Sequence, residues 1–315
     1  MTEKKKVVIA LGGNAIIRKG QKGTVAEEFA NTRASLDGII KVIKHDYNVA
    51  ITHGNGPQAG NMMLRVEAGL SRNVPDRPLG VIVADTEGGM GYMIEQSLQN
   101  RLAKEGISRD VVTILSQVVV DPQDPQMLNP SKPVGPFYTE EQAKTLMKEK
   151  GWIIVEDAGR GWRRVVPSPV PQTVVEKSVI KRLIEEGIVV ITVGGGGIPV
   201  YYEKDGTLEG VDAVIDKDLA SAVLALEIGA EILVISTGVE KVALGFGTPQ
   251  EKTLDRMTVA ECRQYMEEGH FPKGSMGPKI KAAMDFIEKG GKKVIITLPE
   301  TIEEALEGKT GTIIE

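Results

Sequence analysis

Long apolar runs alternate with amphipathic stretches along this chain. The runs Val7–Ala15 (VVIALGGNA), Val49–Pro57 (VAITHGNGP) and Ile188–Pro199 (IVVITVGGGGIP) each begin as nearly unbroken apolar segments. Similar runs occupy Val111–Val120, Glu231–Ser236 and Lys293–Leu298. Segments without polar alternation predict strands covered on both faces, as in a parallel sheet. Between them, Leu36, Ile39, Ile40 and Ile43 recur at helical spacing, as do Val179, Ile180, Leu183 and Ile184. Thr301 followed by Glu304 fits a capping box before a short last helix. Strands alternating with helices predict a doubly wound α/β sheet, an open αβα sandwich.

One segment breaks the rhythm. Asp121–Phe137 carries Pro122, Pro125, Pro130, Pro133 and Pro136. Proline at that density excludes a helix interior or a central strand. The segment is also long for a connection, so a lid or protruding subdomain is expected, with Lys132 as its one cation. A surface loop stiffened by proline is the alternative.

The three first-named runs all end in glycine. At a strand end, glycines let main-chain N–H groups approach a ligand, and a following helix adds its positive end. Gly12, Gly13 and Asn14 form one such turn, and Gly54, Asn55 and Gly56 a second. Each taken alone is equally a tight connection that needs glycine for space. Together they suggest a site for several anionic groups. Lys217, in VIDKDLA, and Lys279, just after Pro278, both fall near predicted helix starts. There they oppose the helix dipole unless an anion lies between. Asp216 or Asp218 caps the first of these helices, and the pair could also hold Mg²⁺ or a lysine. Asp157–Arg164 packs three arginines around glycines, for phosphate or for acids across a junction.

Composition narrows the classes. The chain has 315 residues, 41% hydrophobic and 26% charged, with a formal charge of −5. Aromatics make up 4%, which argues against base stacking, and the negative charge argues against nucleic acid and acidic membranes. Cys262 is the one cysteine, read as a packing residue, and the three histidines lack metal-ligand spacing. No segment approaches a membrane span, and the apolar stretch after Lys4–Lys6 is too short for a signal peptide, so a cytoplasmic protein is expected. A P-loop fails because Glu303 stands where its first glycine belongs. Gly54–Ala59 formally matches a dinucleotide fingerprint, but Asp76, at the right spacing for its acid, sits in a turn. Several anions, lysines, a lid and no obvious histidine base fit phosphoryl transfer to an acceptor that is already anionic.

The segments VVIALGGNA, ITHGNGPQAG, NPSKPVGPFYTEEQA, EDAGRGWRRVVPSP, ITVGGGGIPV, GVDAVIDKDLA, EEGHFPKGSMGPK and LEGKTGT resemble the carbamate kinases of the amino-acid kinase family from end to end. The resemblance implies one domain over 1–315: a substrate half about 1–170, containing a protruding subdomain about 118–160, and a nucleotide half about 171–315. It implies phosphoryl transfer between ATP and carbamate, giving ADP and carbamoyl phosphate, with Mg²⁺, in a homodimer, running towards ATP in catabolism. Gly12, Gly13 and Asn14 would then cradle the transferred group, and Gly54, Asn55 and Gly56 the carbamate. Lys132 would reach in from the subdomain. Lys217 and Lys279 would neutralise phosphate charge, with Asp216 orienting lysines. Gly195, Gly196, Asp218, Met276 and Pro278 would contact nucleotide, and the metal ligands stay unassigned. Two departures stand out. Thr86–Glu87–Gly88–Gly89 replaces the usual S-Q-G, which would place an unfavourable carboxylate near an anion if it faced the site. Thr237–Gly238–Val239 lacks the acid of T-D-V. A kinase for another carboxylate acceptor, a nucleotide-binding homologue without turnover and a dinucleotide-dependent oxidoreductase are the other readings.

Overall fold

The computed structural model describes residues 4–18, 20–157, 161–272 and 274–315, with the Asn14 side chain outside that description. Among the described residues, the central sheet contains, in chain order, β1 (Lys6–Leu11), β2 (Asn48–His53), β3 (Val111–Thr113), β4 (Val189–Ile191), β5 (Ile232–Ser236), β6 (Arg256–Met257), β7 (Lys293–Thr297) and β8 (Thr312–Ile314). Their spatial order is β6-β8-β7-β5-β1-β2-β4-β3. Every pair is parallel except β7 with β8.

β1 and β2 are buried at every position, as their unbroken apolar sequences predict. The two-residue period of a strand divides each between two cores. Val8, Ala50, Leu233, Ile235 and Val294 face one core, which the helices Lys177–Glu185, Lys217–Glu227, Val259–Glu267 and Met276–Glu288 complete. Val7, Ile9, Leu11, Ile51 and Val234 face the other, covered by the helices Val25–Lys44 and Leu79–Lys104. The result is the expected αβα sandwich. Cys262 is fully buried in the first core, as a packing residue should be.

Several expected elements are corrected. Val111–Val120 is not one strand. It ends in the main sheet at Thr113, then resumes at Gln117–Val120 in a four-stranded side sheet with Leu208–Gly210, Ile198–Tyr202 and Pro171–Val174. Ser116 turns the chain there: its hydroxyl donates to the carbonyl of Ile114 and its N–H to Glu87. The capping box at Thr301 does not form. A 3₁₀ turn, Pro299–Thr301, precedes the helix Ile302–Leu306, and the Thr301 hydroxyl pairs with Thr297 Oγ1 at 2.8 Å instead. Capping boxes do open the helices at Thr24, Thr139 and Thr258.

The proline-rich segment forms a one-turn helix, Pro125–Leu128, then the strand Lys132–Tyr138. That strand lies at the edge of a small antiparallel sheet with Trp162–Val166 and Ile154–Glu156, the position where proline is tolerated. The strand crosses the helix Gly56–Leu70 where glycine meets glycine: a Cβ on Gly60 would lie 3.4 Å from Gly135 Cα. Of the arginine-rich run, Ala158, Gly159 and Arg160 lie outside the described residues. Arg163 donates to the Gly135 carbonyl at 3.0 Å and pairs with Asp157 at 3.4 Å, while Arg164 stacks on Trp152. Both serve the small sheet.

Candidate active site

The C-terminal ends of β1 and β2 bring the first two glycine turns together. Gly13–Ala15 is a single 3₁₀ turn, and Gly56 opens the helix Gly56–Leu70. The first N–H groups of such elements have no internal acceptor, so both turns offer donors. A Cβ on Gly13 or Gly56 would meet nothing within 4 Å, so these two glycines face open space. Gly12 differs: its Cβ would strike the carbonyl oxygen of Ser236, at the end of β5, at 2.7 Å. Glycine at 12 therefore lets β1 and β5 close up. Gly54 is bare because the Lys217 stem lies over it, with Cδ 3.3 Å from a Cβ there and Gly13 N at 3.7 Å. Lys217 thus enters the space between the two turns.

Lys217 is the first residue of the helix Lys217–Glu227, and Asp216 caps it by accepting the N–H of Asp218 at 2.9 Å. The sequence allowed Asp216 or Asp218 to hold a lysine; Asp218 holds two. Its side chain is 4% exposed and pairs with both Lys217 and, at 3.0 Å, Lys279. Burial alone would raise this carboxyl; the two ammonium groups outweigh it and hold it down at about 2. Burial lowers the Lys217 ammonium, opposed by Asp218. Asp216 meanwhile pairs with Lys132 of the small sheet at 2.7 Å. Asp216 thus contacts Lys132, while Asp218 contacts Lys217 and Lys279.

No group of three or more His, Cys, Asp or Glu side chains able to hold a metal occurs among the described residues. Asp216 and Asp218, the earlier candidates, are engaged by lysines and helix N–H groups. These residues do not fit a resident metal site.

Beside Lys279, a cavity of 290 Å³ opens off the end of β5. Its walls include Thr237, Val239, Phe246, Phe271, Pro272 and Met276. Phe246 is 62% exposed. Met276 lines this cavity. Pro278 only occupies the first turn of the helix Met276–Glu288, outside the cavity wall. Gly238 lines the same cavity, so the departure from T-D-V falls on its surface.

The third glycine turn is buried. Gly195 and Gly196 have left-handed φ values of 67° and 100°, and a Cβ on them would overlap the Asn55 amide and the Ile215 carbonyl. Both are glycines for packing against protein. Asn55 itself is 4% exposed and donates its amide to Thr86 Oγ1 at 2.9 Å, so its side chain braces the second turn from behind. Gly195→Ala is accordingly expected to displace Asn55 and weaken use of the acceptor-side substrate about tenfold, in the range of a misplaced catalytic turn. Steady-state KM and kcat for that substrate check it. Glu87, feared as a carboxylate facing the anions, is 1% exposed and accepts backbone N–H groups of Gly194 and Ser116. His53 is also buried, and desolvation lowers it to about 4.

The dinucleotide reading fails structurally: the helix Gly56–Leu70 leads into the helix Leu79–Lys104 with Asp76 between them, and no strand follows to present that acid. Comparison with known proteins agrees with the kinase geometry. The amino acid kinase family matches residues 5–298. The carbamate kinase of Pyrococcus horikoshii is 54% identical over 308 residues, 98% of each chain. A carbamate kinase-like protein of Escherichia coli is 50% identical over 313 residues, 99% of each. The structure of carbamate kinase from Giardia lamblia bound to AMP-PNP superposes with a TM-score of 0.92 at 43% identity, covering 100% of this chain and 99% of that one. The chain belongs to the amino acid kinase family and groups there with the carbamate kinases.

Proposed function

We propose that the chain catalyses reversible phosphoryl transfer between ATP and carbamate, giving ADP and carbamoyl phosphate. The carrying observation is the Lys217–Asp218–Lys279 group, set where two open glycine turns meet and beside an apolar cavity. The cavity suits a nucleotide, consistent with the AMP-PNP bound by the Giardia lamblia relative. Its phosphates would extend past Lys279 towards Lys217, and the carbamate would sit on the Gly54–Gly56 side.

Carbamate carries its own charge, so its oxygen attacks in line without a base. The chief barrier is the approach of two anions, which at 4 Å and an effective dielectric of 20 repel by about 4 kcal/mol. Two ammonium groups against the single Asp218 carboxylate leave net positive charge at that point. Preorganised charge and N–H donors of this kind need little rearrangement as the transition state forms. Magnesium would enter with the nucleotide phosphates, where Mg²⁺ commonly keeps most of its waters. Asn14 is proposed as a further donor to the transferred group.

The division into a substrate half about 1–170 and a nucleotide half about 171–315 is part of this reading, as are a homodimer and a cytoplasmic setting with flux towards ATP. Among the described residues no helix is long and apolar enough to cross a membrane. ATP formation from carbamoyl phosphate and ADP is the direct test. A rate in the usual enzyme range, about 1–10³ s⁻¹, is expected. Nucleotide binding with no ATP formed would overturn the assignment.

Lys132 bridges the small sheet to the helix cap at Asp216. Lys132→Ala should raise the KM for carbamoyl phosphate about tenfold, the loss of roughly one charge-assisted contact, while ADP affinity stays within about twofold. Equal effects on both substrates would remove Lys132 from the acceptor side.

A further inference from the structure

Two buried hydroxyls join the strand that ends in the second glycine turn to the helix that carries Lys217. The phosphoryl transfer described above gives neither a task. Thr52 and Ser221 are both fully buried, and their oxygens lie 2.6 Å apart. Thr52 belongs to β2, just ahead of His53 and Gly54, and is in register with Ala10 of β1. Alternation along β2 puts it on the same sheet face as Ala50, towards the core that the helix Lys217–Glu227 completes. Ser221 lies in that helix, one turn beyond Lys217.

Counting protons fixes the direction of these bonds. The Ser221 oxygen lies 2.6 Å from the carbonyl oxygen of Lys217. A carbonyl only accepts, so the single Ser221 proton points at it. Ser221 therefore accepts from Thr52, and Thr52 is the donor. Serine often bonds back to the carbonyl one turn earlier in a helix, and that bond needs no outside group. The threonine is the informative residue. Its strand neighbours on that face are apolar, and valine would fill the same space without a polar group to satisfy. Its hydroxyl ties β2 to the backbone of Lys217 through Ser221. The Lys217 stem then passes back over Gly54, with Cδ 3.3 Å from a Cβ placed there, and its ammonium pairs with Asp218. One strand thus both supplies the turn and anchors the lysine that crosses it.

We propose that Thr52 is a positioning residue for Lys217: its hydroxyl, acting through Ser221, fixes the first turn of the helix Lys217–Glu227 against the end of β2 and so sets where the lysine stem crosses the Gly54 turn. Without that hydroxyl the helix start and the glycine turn are free to shift relative to each other. The Lys217 ammonium then meets the transferred group off its best position, and a small misplacement of a catalytic group is costly. The proposal rests on the phosphoryl-transfer reading for its kinetic arm and on geometry alone for its spectroscopic arm.

The test compares the full chain with Thr52→Val, which keeps the shape and removes the donor, and Thr52→Ser, which restores it. In ATP formation, Thr52→Val is expected to lower kcat about tenfold, with KM for ADP and for carbamoyl phosphate within about threefold, the pattern of an interaction made in the transition state. Thr52→Ser should return kcat to within about threefold of the wild type. Added to Lys217→Ala, Thr52→Val should do nothing further, because no ammonium remains to be positioned. A general packing defect would slow both backgrounds alike. Wild-type kcat in Thr52→Val overturns the proposal, as does an equal fall in the Lys217→Ala background. The second arm needs no turnover. In protein carrying ¹³C-labelled lysine, the Lys217 Cε signal, assigned by its loss in Lys217→Ala, should move in Thr52→Val and return in Thr52→Ser. An unmoved signal overturns the proposal. A wild type that forms no ATP overturns the phosphoryl-transfer assignment instead, and the lysine signal then decides this proposal by itself. If Thr52→Val does not fold, Ser221→Ala breaks the same connection from the helix side and is held to the same outcomes.

Discussion

Lys217→Ala lowers turnover about 10³-fold, at the upper end of what losing one preorganised transition-state donor costs. Lys217 is 12% exposed at its side chain, its stem lies over Gly54 beside the Gly13 nitrogen, and its ammonium pairs with Asp218. In the proposed reaction it would be the cation that meets charge on the group in flight. Asp218 keeps Lys279 as a partner after the substitution, so the fold should survive. Circular dichroism and thermal unfolding check that point, and single-turnover ATP formation checks the rate. Lys217→Arg should rescue little. A planar, delocalised guanidinium does not reproduce the compact point charge of the ammonium. Near-normal turnover in Lys217→Ala would remove the lysine from the chemistry.

Asp218→Ala should be the most damaging substitution for stability. Two ammonium groups would face each other in a nearly closed site with nothing between them. Breaking a buried ion pair costs about 3–5 kcal/mol. That corresponds to a fall in Tm of roughly 5–15 °C for a chain of this class. Turnover falls as well, because Lys217 and Lys279 lose their common anchor. The pH dependence follows from the depressed carboxyl. Its folded-state value is about 2 against an ordinary 3.8, so its stabilisation is fully present above 3.8 and is lost as pH falls towards 2. The stability gap between wild type and Asp218→Asn should therefore be wide at neutral pH and close in that acid window. A gap that persists unchanged to pH 2 would mean that the carboxylate charge is not what stabilises the group. Equilibrium unfolding in urea across that range measures it.

The parts of the fold that were legible from sequence share one property: they depend on chain neighbours. β1 and β2 announced their two-sided burial by lacking polar alternation, and helix caps such as Thr258 with Glu261 are short-range contacts. The misread elements failed where a distant group intervened. Val111–Val120 read as one strand because its apolar residues are continuous in type. The break comes from Glu87, far away in sequence, binding the Ser116 N–H. The capping box at Thr301 failed for a similar reason, since Thr297 claims the hydroxyl. Asp218 was visible as an acid between two lysine motifs, but its double pairing was not. Lys279 joins it only because parallel crossovers return both helices to one edge of the sheet.

The glycine turns show the division most sharply. Read alone, the chain established that glycine follows three buried strands, that a doubly wound sheet would align the ends of those strands, and that its motifs resemble one kinase family. Local pattern is sufficient for this, because strand burial and turn chemistry act over a few residues. Only the tertiary structure separated the open glycines, Gly13 and Gly56, from those packed against protein, Gly12, Gly195 and Gly196. It alone gave Gly54 to the stem of Lys217, made Asp218 the anchor of two lysines, and packed Glu87 and His53 against Gly194. Each of those outcomes depends on which remote atom comes to lie opposite a backbone position, and sheet order and crossover decide that.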